Sequence, residues 1–435
     1  MYKHEYRTSS VSHASSSQQM QLADGASLGS CSLKRVDIAH MEFCGTPHCQ
    51  LMESLQLPRP RPLAGVAGPQ SPERRCQAIP QRLRSTLAAR RPCLALLVPW
   101  ALRRSRSGRG AARNAGRGCP LLLLDPCRPQ LIQELQGLGC QTEQRGNDET
   151  VEEALCRAAP EVVVVRSSLI QEPQLAACKK APHLVMRAGA GVDNLAVPAL
   201  AERGVVVCNA AGANAVAVAE LTMAHLLNLD RRLSDQVESL RRGQWQRLHF
   251  AKGPRGLYGR TLAVLGLGSV GREVARLAKA FGMNVRAWSR SLTSEEAEEM
   301  GVAFCGSMEE AAFCADAITV HLPLTAATRG VVGLDVLMLA PGALFVNMSR
   351  GGVVDEEALL EAVKVYGIRA GLDVFANEPG ASDTSFHDEA IMHPDIYGSH
   401  HTGARTEQAA EAVEQAVLEV VSAYLEGRPI PGRLA

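Results

Sequence analysis

The chain is poor in aromatic residues, which fill 4% of its 435 positions, and its 13 cysteines include no CxxC pair. No stretch reaches the roughly 18 consecutive apolar residues that a membrane-spanning helix requires. Neither sign of charge prevails overall, the formal net charge being +1. Each shortage excludes something. Scattered cysteines build neither a disulfide nor a zinc framework, so free thiols in a reducing compartment are expected. Cys44-Gly-Thr-Pro-His48-Cys49 is faintly ligand-like, but no second cluster completes it, and no metal is expected. Without a long apolar run, no membrane span is expected.

The near-zero net charge hides an asymmetry. Residues 54–118 carry 14 Arg and one acidic residue, Glu73, for a net +13, whereas residues 119–435 carry 28 basic and 39 acidic residues, for −11. An acidic body gives no reason to expect nucleic acid. Basic arms can bind it, but no series of aromatics interleaves with these arginines. Residues 1–118 read as a disordered or targeting leader, dominated by Ser, Gln, Pro, Arg and Gly. Within it, the run from Cys93 to Leu102 lies between Arg90-Arg91 and Arg103-Arg104. That run resembles a signal-peptide core, and its Arg-rich, acid-poor surroundings resemble an organellar transit segment. A later start (Met20, Met41 or Met52), a two-part plastid leader and plain disordered sequence all stay open. The compartment is a plastid or mitochondrion if the leader is a transit segment, and otherwise the cytoplasm.

From Cys119 onward strands and helices alternate. Strands are expected at 121–124, 161–166, 183–186 and 205–208, with helices at 130–138, 174–180 and 198–202. Such alternation predicts a parallel sheet with crossover helices. Residues 215–228 form a long helix apolar on nearly all faces, which must be buried between domains or between subunits. Later strands are expected at 317–322, 343–347, 371–375 and 396–398, and a final helix at 407–426. With the sequence running to Ala435 soon after that helix, no appended regulatory domain is expected.

Between these halves lies the stretch that organises the rest. An apolar run, Leu262 to Leu265, leads into Gly266-Leu-Gly268-Ser269-Val270-Gly271, and Val270, Val274, Leu277 and Ala278 then recur at helical spacing. Strand, GxGxxG turn and helix in that order mark a dinucleotide site. The turn brings backbone close to a pyrophosphate, and the helix N-terminus offers it unpaired N–H groups. The next strand, within 282–290, ends in Ser289-Arg290, where an NAD site usually has a carboxylate for the ribose 2′-hydroxyl. Ser and Arg can bond and neutralise a 2′-phosphate, which argues for NADPH over NADH.

Three polar constellations close the later strands. They are Asn347-Met-Ser-Arg350-Gly-Gly, Leu372-Asp373-Val-Phe-Ala-Asn-Glu378-Pro, and Ser399-His400-His401-Thr-Gly-Ala404. An arginine after a buried strand suits an anion, and a histidine near a carboxylate suits general acid–base work. With the loop Arg187-Ala-Gly-Ala-Gly-Val-Asp-Asn194 and Asn209-Ala-Ala-Gly-Ala-Asn214, these motifs resemble the D-isomer-specific 2-hydroxyacid dehydrogenases. The likeness is greatest to the short-type D-3-phosphoglycerate dehydrogenases and covers roughly residue 121 to the C-terminus.

The resemblance implies a site. Arg350 would hold the substrate carboxylate and polarise the carbonyl. His401, rather than His400, would give or take the proton, and Glu378 would keep it protonated. Hydride would pass between the nicotinamide and substrate C2. Backbone N–H groups of Ala188, Gly189, Ala190 and Gly191, with Asn214 nearby, would grip the carboxylate. Asp373 would bond the nicotinamide amide, and Arg166 and Arg187 would face a phosphate. The implied fold is α/β, with two doubly wound parallel sheets: a flavodoxin-like substrate domain at 119–212, an inserted Rossmann NAD(P) domain at 213–402, and a C-terminal helix at 403–435 returning to the first. The implied place is serine biosynthesis, and the apolar helix from Ala215 suggests a homodimer. An NADPH-dependent hydroxypyruvate or glyoxylate reductase is the nearest alternative, and a dinucleotide-sensing transcriptional corepressor is an alternative of another class.

Overall fold

The computed structural model describes residues 118–177, 180–379 and 385–435. The leader, with its 93–102 run and its Cys44–Cys49 cluster, lies outside them. The described residues form two sheets whose paired strands are all parallel. The first comprises β1 (Cys119–Leu123), α1 (Pro129–Gly137), β2 (Cys140–Gln144), α2 (Val151–Ala158), β3 (Val162–Val165), α3 (Glu172–Ala177), β4 (Leu184–Arg187), α4 (Val197–Glu202) and β5 (Val206–Asn209), in strand order β2-β1-β3-β4-β5. β3 is four valines, all buried, the composition of a strand covered on both faces. α2 starts at a reciprocal cap: Thr150 accepts the Glu153 N–H and the Glu153 carboxylate accepts the Thr150 N–H.

A helical connector follows, made of α5 (Ala215–Arg231), α6 (Leu233–Arg241) and α7 (Arg247–Phe250). The second sheet then runs through β6 (Thr261–Leu265), α8 (Ser269–Ala280), β7 (Asn284–Trp288), α9 (Ser294–Met300), β8 (Ala303–Phe304), α10 (Met308–Ala312), β9 (Ala317–Val320), α11 (Leu334–Leu337), β10 (Leu344–Asn347), α12 (Glu356–Tyr366), β11 (Arg369–Leu372) and β12 (Ile396–Gly398). Its order is β12-β11-β10-β9-β6-β7-β8. Chain direction across the sheet reverses between β6 and β9, which opens a crevice at their carboxyl ends. α13 (Glu407–Glu426) returns to the first sheet, where Val417, Val420 and Val421 join the core of Leu121, Leu123, Val162 and Met186. The C-terminal residues continue onto β5, Leu434 donating its N–H to the Val207 carbonyl at 2.8 Å.

Three expectations need correction. β2 was not foreseen, because only its first residue, Cys140, is buried and an edge strand need not alternate. The strand expected at 371–375 is Arg369–Leu372, since the chain leaves the sheet at Asp373. The apolar helix α5 is buried chiefly inside the chain, packing on α8, β10 and β11. Val216 is exposed on the helix itself, and further exposed apolar side chains follow it, among them Leu240, Trp245, Leu248 and Tyr258. Cys119, Cys127, Cys140, Cys208 and Cys305 are free thiols as expected; Cys314 is disulfide-bonded.

Candidate active site

Every candidate side chain stands at the carboxyl end of a strand or in the loop beyond it. Parallel strands carry those ends on one side, so distant segments converge there. β10, β11 and β12 are consecutive in the sheet, and this places Arg350, Glu378 and His401 side by side.

His401 Nδ1 lies 2.7 Å from Glu378 Oε2, while Glu378 Oε1 accepts the Phe375 N–H at 3.0 Å. Burial pushes the Glu378 carboxyl up, but the bond and charge of His401, the Phe375 N–H and the charge of Arg350 together hold it below its usual range. An ionised carboxylate can only accept, so Nδ1 carries the proton and Nε2 is left facing outward. His401 is held at φ 50°, a left-handed conformation costly for a non-glycine residue. Asp373 imposes it. The His401 N–H donates to the Asp373 carbonyl at 2.9 Å, and the Asp373 carboxylate accepts the N–H groups of Thr402 and Gly403 at 2.9 and 2.8 Å. Asp373, expected to bond the nicotinamide amide, thus shapes the histidine loop. His400, the other candidate, is exposed beside it.

Arg350 follows β10, its Nε donating to Asp193 Oδ2 at 2.8 Å and its Nη1 to the Ser349 carbonyl at 2.7 Å. Asp193 belongs to the loop after β4, so this ion pair joins the edges of the two sheets. The Arg350 guanidinium lies over Gly191, where a methyl group would overlap its Nη2, and the Arg187 guanidinium lies likewise over Gly189. Of the loop N–H groups expected to grip a carboxylate, Ala188 is taken by the Val165 carbonyl (2.7 Å) and Gly189 by that of Arg187 (2.9 Å). Those of Ala190 and Gly191 have no partner among the described residues. Asn209 steadies the loop by donating to the Ala190 carbonyl at 2.6 Å. Arg166 follows β3, its backbone N–H bonded to Asp125. Burial, with the like charges of Arg350 and Arg166, holds Arg187 down to about 10. Asn214 stands at the N-cap of α5 with its buried Oδ1 unpartnered.

The glycine turn joins β6 to α8. Gly266 has φ 100°, and a Cβ there would press on the His321 carbonyl at 2.7 Å. A methyl group at Gly271 would overlap the Gly266 carbonyl oxygen, so only glycine permits this approach of helix to strand. Nothing lies within 4 Å of where a Gly268 Cβ would point, and the N-terminus of α8, at Ser269 and Val270, has no side-chain cap. An open space facing uncapped N–H groups fits a pyrophosphate. Ser289 and Arg290 follow β7, the neighbour of β6, with Arg290 exposed.

Residues 223–403 match the family model of the D-isomer specific 2-hydroxyacid dehydrogenase, NAD binding domain. That stretch of the chain belongs to the family. The D-3-phosphoglycerate dehydrogenase of Methanocaldococcus jannaschii is 39% identical over 310 residues, 71% of this chain and 57% of that protein. The enzyme of the same name from Bacillus subtilis is 36% identical over 249 residues, 57% of this chain and 46% of its own. The chain thus spans about half the length of the curated relatives it matches. Among solved structures, an NADPH-dependent glyoxylate/hydroxypyruvate reductase of Sinorhizobium meliloti, in complex with NADP and malonate, has a TM-score of 0.62 at 28% identity, covering 72% of this chain and 96% of that one. The D-mandelate dehydrogenase of Rhodotorula graminis shares the fold, with a TM-score of 0.65 at 24% identity, covering 73% and 98%.

The matched stretch is the family's NAD-binding domain, and the site includes residues that the sequence alone did not mark. Asp193 was quoted within a motif but given no role. His225 is buried in α5 at 6% exposure, and its Nε2 lies 2.9 Å from Ser399 Oγ, which donates to Asp373 Oδ1 at 2.6 Å. The signal for His225 was present: a lone histidine on an otherwise apolar helix must find a partner. His321 ends β9 beside Gly266, with both ring nitrogens buried and unpartnered, and burial lowers it to about 3. It is a neutral imidazole at the sheet's crevice.

Proposed function

We propose that this dehydrogenase interconverts a small D-2-hydroxy acid and its 2-keto acid, the substrate pair being 3-phosphoglycerate and phosphohydroxypyruvate. The observation that carries the reading is the second cationic centre at the cleft. Arg187, its Nε buried without a partner, and Arg166, with no side-chain bond among the described residues, lie beyond Arg350. A monoanionic keto acid requires one such centre, whereas a phosphorylated one requires two. The names of the curated relatives support the same choice.

The residues divide the chemistry between them. Ala190 and Gly191 N–H groups and Arg350 bind the carboxylate, and Arg350 also polarises the C2 carbonyl. His401, presenting Nε2, protonates the carbonyl oxygen in reduction and takes the hydroxyl proton in oxidation, while Glu378 holds the imidazole by Nδ1. The nicotinamide, when bound, supplies or accepts the hydride at C2. Gly266, Gly268 and Gly271 with the α8 N-terminus would hold its pyrophosphate, and Ser289 and Arg290 the adenosine ribose. Closure of the cleft would exclude water from the site.

A second reading, an NADPH-dependent hydroxypyruvate or glyoxylate reductase, is favoured by Ser289-Arg290 and by the reductase noted above. Turnover of phosphohydroxypyruvate and of hydroxypyruvate, each with NADH and NADPH, separates the two. Preference for the phosphorylated acid supports the first, and preference for hydroxypyruvate with NADPH supports the second. The exposed apolar residues of the α6–α7 segment are the surface through which the protein would form a homodimer.

A further inference from the structure

Beyond the two arginines assigned to a phosphate, a third stands unassigned. Arg405 lies in the turn before α13, its N–H bonded to the Thr402 carbonyl at 2.8 Å, four residues past the acid–base histidine. Thr406 caps α13 by accepting the Ala409 N–H at 3.1 Å. The helix is then clamped to the first sheet, where Arg128 forms a two-point bond with Glu414 at 2.7 and 2.6 Å. Arg128 belongs to the same β1–α1 loop as Asp125. The Asp125 carboxylate takes the N–H groups of Arg166, Ser167 and Ser168 at 2.6, 3.1 and 3.0 Å. One loop therefore ties the start of α13 to the loop that presents Arg166, and it brings two arginines from distant segments to one lip of the cleft.

The charges are consistent with this placement. After burial, which acts first, the strongest influence lowering Arg166 is the charge of Arg405. Arg187 is lowered in turn, after burial, by Arg350 and then by Arg166. The charge of Arg187 is thus felt with those of Arg350 and Arg166, and that of Arg166 with Arg405. The acidic residues of α13, Glu414, Glu411 and Glu407, gather round Arg128 and raise it, and Glu414 also acts on Arg166. Neither Arg166 nor Arg405 has an ion pair or side-chain hydrogen bond among the described residues, and Arg405 is exposed. The carboxylates of Asp125 and Glu414 offset part of the repulsion at Arg166, and an anion bound between Arg166 and Arg405 would relieve more of it.

We propose that Arg405 completes with Arg166 a distal anion subsite, which takes the phosphomonoester end of a substrate whose carboxylate sits at Arg350. The inference rests on the proposed function and adds to it the residue that sets preference for a phosphorylated acid. The carboxylate end is anchored at the loop over Gly191. The far end of a three-carbon acid would then reach toward the lip where Arg166 and Arg405 lie.

The test uses the full 435-residue chain and Arg405→Gln, with Arg405→Lys and Arg276→Gln beside it. Arg276 is a surface arginine paired with Glu273 outside the cleft. Two quantities are measured: the ratio of kcat/KM for phosphohydroxypyruvate to that for hydroxypyruvate, and the rise in Tm produced by inorganic phosphate. Arg405→Gln is expected to lower the ratio about tenfold, the worth of one charge-assisted hydrogen bond. It should also diminish the phosphate-induced rise, with part of both restored in Arg405→Lys and no change in Arg276→Gln. A ratio and a rise both unchanged in Arg405→Gln would overturn the assignment while leaving the proposed function standing. If the parent protein shows no preference for the phosphorylated acid, the proposed function fails. The phosphate-induced rise then decides alone: its loss in Arg405→Gln upholds the anion subsite, and its persistence overturns it.

Discussion

Gly191→Ala is the perturbation that most directly tests whether Arg350 acts from where it stands. The backbone at Gly191 is not in the left-handed region, so alanine adopts it without strain. The added methyl, however, would overlap Arg350 Nη2 and would lie 3.1 Å from its Cζ and 2.9 Å from Asp193 Oδ2. Ordinary contact begins near 3.4 Å, so the guanidinium must withdraw by about 1 Å or more, and a misplacement of that size costs on the order of 10²-fold in rate. In free energy this is about 2.7 kcal/mol of lost transition-state stabilisation. The loop is partly exposed, so the change in folding stability should stay within about 0.5 kcal/mol. Steady-state kinetics with phosphohydroxypyruvate and a thermal melt on the same preparation measure both quantities. A kcat/KM near one-hundredth of the parent value with an unmoved Tm is the expected pattern. If kcat/KM stays within about threefold of the parent with Tm unchanged, Arg350 does not act from its position over Gly191, and the carboxylate is held elsewhere.

Glu378→Gln should lower kcat/KM by about 10²-fold or more, since the amide no longer fixes the Nδ1 proton of His401. Glu378 is held below its usual range, so the pair's contribution to stability is complete above the unfolded carboxyl pKa and disappears as pH falls through the lower folded value; melts from about pH 6 to about pH 3 should show this loss in the parent and its absence in Glu378→Gln. Arg187, held down to about 10, makes the opposite demand: as a base depressed in the fold it is destabilising while charged, so the unliganded protein gains stability as pH rises from about 10 toward the unfolded value. The rise in Tm caused by phosphate should accordingly be present at neutral pH and fade above about 10, and a rise that persists unchanged there would remove Arg187 from the anion site. Ser289→Asp places a carboxylate beside the ribose, and kcat/KM should shift from NADPH toward NADH by at least about tenfold; equal use of both cofactors before and after would show that this strand end does not meet the ribose. Trp245 and Leu248 are 81% and 79% exposed, and Trp245→Asp with Leu248→Asp should convert a dimer to a monomer by light scattering, while a parent protein already monomeric would refute the homodimer.

How much of this site could be read in the sequence depends on how many separate pieces of chain each feature needs. The dinucleotide turn was legible in a single line because β6, Gly266 to Gly271 and α8 are contiguous. Everything that matters there, from the φ of 100° at Gly266 to the close approach at Gly271, is local. β1, β3 and β4 were legible for a similar reason, short buried runs being self-announcing, whereas β2, with one buried residue, had no pattern to read. The pairing of Glu378 with His401, 23 positions apart, was reached by resemblance and not from spacing, because it depends on β11 and β12 being neighbours. The Arg350–Asp193 pair spans 157 positions and two sheets, and no periodicity predicts it. His225 shows the limit most plainly. It sits in α5, reads as one more buried helix position, and acquires its bond to Ser399 only because α5 crosses β11 at Gly371. There the absent side chain leaves room for the ring, and a Cβ would lie 2.7 Å from its Nδ1. A strand glycine opposite a helix histidine is therefore one device, divided between segments that carry no mark of each other. The proposed substrate end of the site would be built wholly from such divided devices, with Asp193 and Arg166 on one sheet, Arg350 and His401 on the other, and Arg405 at the helix that returns. On the proposed function, substrate choice would be set where the two sheets meet, so changes at those meeting points should alter which acid is taken, while changes within the glycine turn should alter only how tightly the cofactor is held.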